Sequence, residues 1–333
     1  MPERFARHTV LPELGPEGQK RLGESSALVA GCGALGTHAA ELLLRAGVGR
    51  LVLVDRDLVE ETNLHRVALF TPDDLGRPKA EAAAEALRRI APDSEVTAHV
   101  AHLGPDLARE LVPQVEVVLD GLDNLETRYV VNDACVMHGV PWVYTAVLGT
   151  GGMTMPIVPG KGPCLRCLFP EPPSPGAIPT CAEAGILGPV PAALAAWEAT
   201  AAIGILAGSP DLVPGRLVHL DPWRGTAEAT AVARAPGCPS CGERRFEFLL
   251  EPRRTAALCG DAVHISPRKP GALDLHDLAS RLGRLGSTRF SHGVLVAELE
   301  GVELTVFPDG RAVVKGVADP HRAQALYDRY VGR

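Results

Sequence analysis

Ala27-Leu28-Val29-Ala30-Gly31-Cys32-Gly33-Ala34-Leu35-Gly36 sets a short apolar run directly against a glycine-rich hexapeptide. An Ala/Leu-rich stretch then continues to Ala46 and stops at Gly47. The run reads as a strand, Leu35 to Ala46 as a helix, and Gly31-x-Gly33-x-x-Gly36 as the tight turn between them. Such a turn aims backbone N–H groups outward at a helix start, where the macrodipole favours an anion. Leu51-Val52-Leu53-Val54-Asp55 follows as a second strand, and its acid lies 19 residues after Gly36. A carboxylate there accepts hydrogen bonds from both ribose hydroxyls. Turn and acid together predict an adenine nucleotide without choosing among NAD, FAD and ATP. A glycine turn needed only for packing is the plainer alternative, and the strand–turn–helix context disfavours it.

Outward from this unit the alternation continues. Lys79 to Ile90 is Ala-rich, carries Arg88 and Arg89 near its end and Pro92 beyond, and predicts a helix. Val96 to Val100, Val115 to Leu119 and Trp142 to Val147 predict further strands. Strands crossing over through helices give an α/β fold, a Rossmann-like doubly wound sheet. Pro156 to Pro179 and Ala235 to Gly242 are Pro/Gly-rich breaks, each holding a cysteine pair. After Pro252 the character changes. A strand at Ala262 to Ile265, a helix at Leu273 to Leu285, strands Gly293 to Phe307 and Ala312 to Val317 meeting at Pro308-Asp309-Gly310, and a helix Pro320 to Val331 predict a small α+β (β-α-β-β-α) unit. The expected domains are therefore 1–252 and 256–333.

The chain has 333 residues, enough for two cores, with 46% hydrophobic and 22% charged residues. Lys+Arg 33 against Asp+Glu 40 gives a net charge of −7, and only 4% of residues are aromatic. That balance argues against DNA as a partner. The N-terminus enters charged sequence with no apolar run behind it, unlike a secretory signal, so a cytoplasmic location is expected. Ala192 to Gly208 is the longest apolar stretch, but it carries Glu198 and follows Pro189 and Pro191, so a closely packed core helix is expected and no membrane span.

Eight cysteines without a signal peptide point to metal or catalysis before disulfides. Cys164-x-x-Cys167 and Cys238-x-x-Cys241 are each spaced to give half of a tetrahedral Zn²⁺ site, and with no catalytic base beside them the site reads as structural. Two disulfides are the alternative, disfavoured in a reducing compartment. Cys32, Cys135 and Cys259 read as small buried hydrophobes.

Asn63, Arg66, Lys79 and Asp123 decide which nucleotide chemistry fits. A dehydrogenase has little use for cations and a lone carboxylate near the phosphates. Nucleotidyl transfer needs both, because the transition state at phosphorus and the departing pyrophosphate carry charge that cations and Mg²⁺ stabilise.

The ordered motifs Arg4-Phe5-Ala6-Arg7-His8, GCGALG, LVLVDRDLVEETNLHR, GRPKAEAA, DGLDNLETR, CLRC, TCAEAG and CPSC resemble the ThiF/MoeB/HesA family, bacterial relatives of the ubiquitin-activating enzymes, over about residues 4 to 248. The resemblance implies that Gly31, Gly33, Gly36 and Asp55 hold ATP, that Asn63, Arg66 and Lys79 contact its phosphates, and that Asp123 binds Mg²⁺. It implies that Arg7 reaches the active site of the other subunit of a homodimer, and that the four paired cysteines bind Zn²⁺. The implied substrate is the C-terminal Gly-Gly of a ubiquitin-fold sulfur carrier such as ThiS or MoaD, adenylated with release of pyrophosphate. The pathway would be thiamin, molybdopterin or tRNA thiolation. Cys181 matches a cysteine that in some members links covalently to the carrier and in others is dispensable for adenylation, so nucleophile and spectator both stay open. Many relatives end in a rhodanese domain, but Cys259 is followed by Gly260-Asp261-Ala262-Val263 without an arginine cradle, which leaves sulfur to a separate donor. An NAD-dependent oxidoreductase and a non-catalytic zinc scaffold are the rival readings.

Overall fold

Strand runs of Val, Leu and Ala with no polar face must be covered on both sides. The computed structural model describes residues 3–173, 181–209, 213–250, 255–257, 262–265, 267, 273–291, 293–317 and 319–332. The chain divides into two compact units, Met1–Pro179 with Ala184–Glu251, and Pro252–Arg333 with Thr180–Glu183.

In the larger unit β1 (Ser26–Ala30), β2 (Arg50–Asp55), β3 (Glu95–Val100), β4 (Val117–Asp120), β5 (Trp142–Leu148), β6 (Gly151–Ile157), β7 (Arg216–Asp221) and β8 (Thr226–Ala231) form one sheet. Their order is β3-β2-β1-β4-β5-β6-β7-β8. The first five are parallel, with Ala30 opposite both Val54 and Asp120, and the last three run antiparallel. Val29, Leu53 and Leu119 pack on one face with helices Ala34–Ala46, Lys79–Ile90 and Pro189–Ala207. Leu28, Val52 and Val118 pack on the other with helices Pro105–Leu111 and Leu125–His138. The expected doubly wound core is present. Because β2 and β4 flank β1 on opposite sides, the crevice beyond β1 and β4 is the topological switch point, where ligands of open α/β sheets bind.

The helix Pro189–Ala207 has the length and composition of a bilayer span. Here it lies on the sheet, with Leu194, Ala199 and Ala202 buried and Glu198 fully buried. Trp142 is also fully buried, whereas Trp197 and Trp223 remain exposed.

The smaller unit is α+β but richer in strands than its sequence suggests. β9 (Thr255–Ala257), β10 (Ala262–Ile265), β11 (Ser287–Ser291), β12 (Val294–Leu299), β13 (Val302–Val306) and β14 (Ala312–Lys315) form a sheet in the order β11-β12-β13-β14-β10-β9. Helices Leu275–Leu282 and Pro320–Tyr330 complete it. The expected single strand Gly293 to Phe307 is two strands, because Glu300 (φ 50°) and Gly301 (φ 80°) both turn left-handed. That is the two-residue hairpin geometry that matches strand twist. The β-α-β-β-α expectation is thus corrected to β-β-α-β-β-β-β-α. Cys259 lies outside the described residues.

Candidate functional site

The glycine turn leaves β1 at Gly31, whose φ is 95°. A Cβ on Gly31 would overlap the Gly121 carbonyl, and one on Gly36 would overlap the Gly31 carbonyl. These two glycines are therefore demanded by the protein's own backbone. Gly33 is not: a Cβ there would meet only the Gly121 oxygen, at 3.9 Å. The space beside it is open, which leaves room for a phosphate to approach the backbone at this helix start. Asp55 receives the Cys32 N–H at 2.7 Å and the Asp57 N–H at 2.7 Å, one on each oxygen. Burial raises its pKa, Lys79 opposes the rise, and Asp57 adds to it.

Lys79 reaches this point because residues 57–59 pair with 77–79. The Lys79 N–H donates to the Asp57 carbonyl at 2.9 Å, and the Val59 N–H to that of Arg77 at 2.9 Å. Lys79 Nζ then donates to Asp57 Oδ2 at 3.2 Å. Burial works against its charge, but Asp57, Asp55 and Asp123 outweigh it and hold its pKa above the ordinary lysine range. Asp123 caps the arrangement, its side chain 48% exposed. It is flanked by Arg56 Nη2 at 3.8 Å and Asn124 Nδ2 at 3.1 Å. Two partly exposed carboxylates, Asp57 and Asp123, beside a cradle for phosphate are the hard oxygen donors that Mg²⁺ takes.

Asn63 and Arg66 sit on the neighbouring turn Glu61–Asn63 and just beyond it. Asn63 Oδ1 accepts the Glu60 N–H at 3.2 Å, and Arg66 Nη1 donates to the Thr62 carbonyl at 2.7 Å. The Ala68 N–H, bonded to Thr37 Oγ1 at 3.2 Å, ties this turn to the first turn of the helix Ala34–Ala46. His65 beside them is exposed. Arg7 is exposed near the opposite end of that helix, where Phe5 packs against Gly47. Thirteen helical residues separate the two ends, about 20 Å, so one chain does not bring Arg7 to Asp55. Cys181 opens the short helix Cys181–Ala184, and its side chain lies outside the described residues.

Sequence reading passed over Arg56, Asp120, Arg128 and Glu198. Arg56 is 6% exposed and donates from Nη1 to His102 Nδ1 at 2.7 Å. Its only sequence mark is its place between two aspartates after β2. Arg128 Nε donates to Asp120 Oδ2 at 2.9 Å, and its Nη2 to the carbonyls of Leu122 at 2.7 Å and Thr145 at 2.9 Å. The Asp120 N–H donates to Glu198 Oε1 at 2.6 Å.

Away from this crevice, Cys164, Cys167, Cys238 and Cys241 bring their sulfurs within 4.8 Å of one another. Cys164 and Cys238 approach at 3.5 Å and Cys167 and Cys241 at 3.4 Å, as free thiols rather than disulfides. A tetrahedral Zn²⁺ with bonds of about 2.3 Å sets its sulfurs about 3.8 Å apart, so the cluster fits that ion. Asn132 joins the two halves, accepting the Leu165 N–H at 2.9 Å and donating to Ser240 Oγ at 3.1 Å. Cys32 and Cys135 are buried, and burial raises both thiol pKa values, as inert packing thiols require. A cavity of about 590 Å³ lined by Glu24, Arg50, Glu95 and Glu116 lies at the opposite edge of the sheet, where the parallel strands begin.

The model of the ThiF family matches residues 5–240. The chain is 38% identical, over 100% of both chains, to the sulfur carrier protein ThiS adenylyltransferase of Bacillus subtilis. It is 41% identical to the sulfur carrier protein adenylyltransferase of Thermus thermophilus, over 72% of this chain and 91% of that one. Among solved structures, E. coli MccB with ATP superposes with a TM-score of 0.62 at 22% identity, over 73% of this chain and 75% of that chain, a likeness of fold. The chain belongs to the ThiF family.

Proposed function

We propose that this protein adenylates the C-terminal glycine carboxylate of a ubiquitin-fold sulfur carrier protein, using ATP and releasing pyrophosphate. The observation that carries the reading is the convergence of the Gly31–Gly36 turn, Asp55, Lys79 and Asp123 at the switch point between β1 and β4. The similarity along the whole chain to a ThiS adenylyltransferase supports the substrate class.

A terminal α-carboxylate, with an ordinary pKa near 3.5, is ionised at neutral pH, so no general base is needed. Its oxygen attacks the α-phosphorus, the new O–P bond replaces the bond to the β-phosphate bridge oxygen, and the electron pair leaves with pyrophosphate. The chemistry reduces to holding two anions together and neutralising charge. Asp55 would take the ribose, and the backbone around Gly33 together with Lys79 would take the phosphates. Arg66 and Asn63 would close on them from the adjoining turn. Mg²⁺, held by Asp123 with Asp57 alongside, supplies phosphate charge neutralisation when bound.

The same reading assigns residues 1–252 to adenylation and 256–333 to a separate α+β domain. It makes the protein a cytoplasmic homodimer in which Arg7 serves the partner's site, a reading supported by the separation of Arg7 from Asp55 within one chain. Zn²⁺ in the four-cysteine cluster is structural. Cys181 acts after adenylation or not at all, with sulfur coming from a separate donor. Carrier-dependent exchange of labelled pyrophosphate into ATP tests the reading: exchange is expected, and its absence with every Gly-Gly carrier offered, or reduction of NAD instead, overturns it.

A further inference from the structure

Beneath the nucleotide crevice lies a buried polar cluster to which the adenylation reading gives no task. Asp120 ends β4, and the chain turns immediately through Gly121 and Leu122 to Asp123. That turn is bound from three directions. The Gly121 N–H donates to the Ala30 carbonyl at 2.8 Å, next to the glycine turn. The Leu122 N–H donates to Asp120 Oδ1 at 3.0 Å. The Leu122 carbonyl accepts from Arg128. Asp120 is the hub, and its own amide is held by Glu198, the one charged residue in the helix Pro189–Ala207 and fully buried.

We propose that Glu198 is a positioning residue for the nucleotide reaction: its carboxyl group, by holding the Asp120 amide, sets the Gly121–Asp123 turn and so the place of Asp123 against the glycine cradle. The proposal rests on the adenylation reading for the identity of the reaction, not for the contact itself. Arg128 spends its bonds on Asp120 and two carbonyls, and Glu198 Oε2 is buried with no hydrogen-bond partner among the described residues. A buried carboxylate so placed would carry an unsatisfied charge beside Asp120. Burial first and then Asp120 raise the Glu198 pKa far above the usual carboxyl range. The Asp120 amide, Arg128 and the Thr145 side chain oppose that rise; the contact itself asks only for an oxygen that accepts the Asp120 N–H, a task that an uncharged amide performs equally.

Full-length Glu198→Gln and Glu198→Met test this by ATP binding, measured by calorimetry with Mg²⁺ and again with EDTA. The Gln variant is expected within about twofold of wild type in both, and the Met variant about tenfold weaker with Mg²⁺ and little changed with EDTA. Equal losses in the two buffers, no loss in the Met variant, or a Gln variant as weak as Met overturns the proposal. If the Met variant does not fold, the same calorimetry on Glu198→Asp, whose shorter side chain draws the acceptor back from the Asp120 amide, decides. A loss with Mg²⁺ that is absent with EDTA supports the proposal, and no loss or an equal loss in both overturns it. Wild type that binds Mg²⁺ and ATP but shows no carrier-dependent exchange sinks the adenylation reading and leaves the Glu198 result to stand by itself.

Discussion

Lys79 Nζ lies 3.2 Å from Asp57 Oδ2, two residues beyond the acid that ends β2. The cation proposed to meet the phosphates is thus held in place by an aspartate at the crevice rim. Lys79→Ala removes the positive charge and leaves Asp55, Asp57 and Asp123 facing the triphosphate together. The exchange rate is expected to fall by about 10²–10³, with circular dichroism unchanged. Because acids hold the Lys79 pKa high, the wild-type pH–rate profile should show no loss from its deprotonation below the ordinary lysine pKa, about 10.4.

Asp123→Ala should abolish exchange while sparing stability. Its side chain is nearly half exposed, and its ion pair to Arg56 is long at 3.8 Å, so the melting temperature is expected to stay within a few degrees. Cys181→Ala, by contrast, should leave exchange intact. A folded Cys181→Ala protein without exchange would place that thiol in the adenylation step itself.

The four-thiol cluster should release zinc when its bridge is cut. Asn132→Ala removes both the acceptor for the Leu165 amide and the donor to Ser240, and Cys238→Ser removes a ligand. Metal analysis after mild heating should find zinc lost from both at temperatures that wild type withstands, with Cys238→Ser the more severe.

Asp133 predicts a pH effect on stability. Burial pushes its carboxyl pKa from 3.8 to about 6, against opposing hydrogen bonds from Ser240 and the Phe248 amide. The folded chain therefore keeps a proton there that the unfolded chain gives up, so stability falls as pH rises through that window and levels off above it. The contribution is about 3 kcal/mol. Asp133→Asn should flatten this limb in denaturant titrations from pH 4 to pH 7, and an unchanged slope would assign it to other groups.

Deleting residues 256–333 should leave exchange intact, since every residue placed at the crevice lies in the larger unit. Loss of exchange in a truncation that keeps its zinc and its melting cooperativity would give the smaller unit a part in adenylation.

What could be read before the structure was local. The run from Ala27 to Asp55 carries its strand, glycine turn, helix and acid within 29 residues, and the structure keeps each of them within a residue or two. The Cys-x-x-Cys pairs were equally legible, because metal spacing is a short-range pattern. Glu198 and Asp120 are 78 residues apart and meet only through packing of a helix on β4. In the sequence Glu198 is merely one acid in an apolar stretch. Glu300-Gly301 is hard to read for another reason: Gly301 is a lone turn residue inside a run that keeps its strand character on both sides, and the reversal is plain only in the backbone angles.

The paired thiols also govern what happens to everything threaded between them. Cys164 and Cys238 are 74 positions apart and their sulfurs lie 3.5 Å from each other, so a Zn²⁺ ion bound there would close that span, Cys181 included, into a loop. A protease cut within it should leave two pieces that stay together in native solution, because the helix Pro189–Ala207 and β7 are packed into the core on either side, and with Zn²⁺ bound they should part only when denaturant and a chelator are combined.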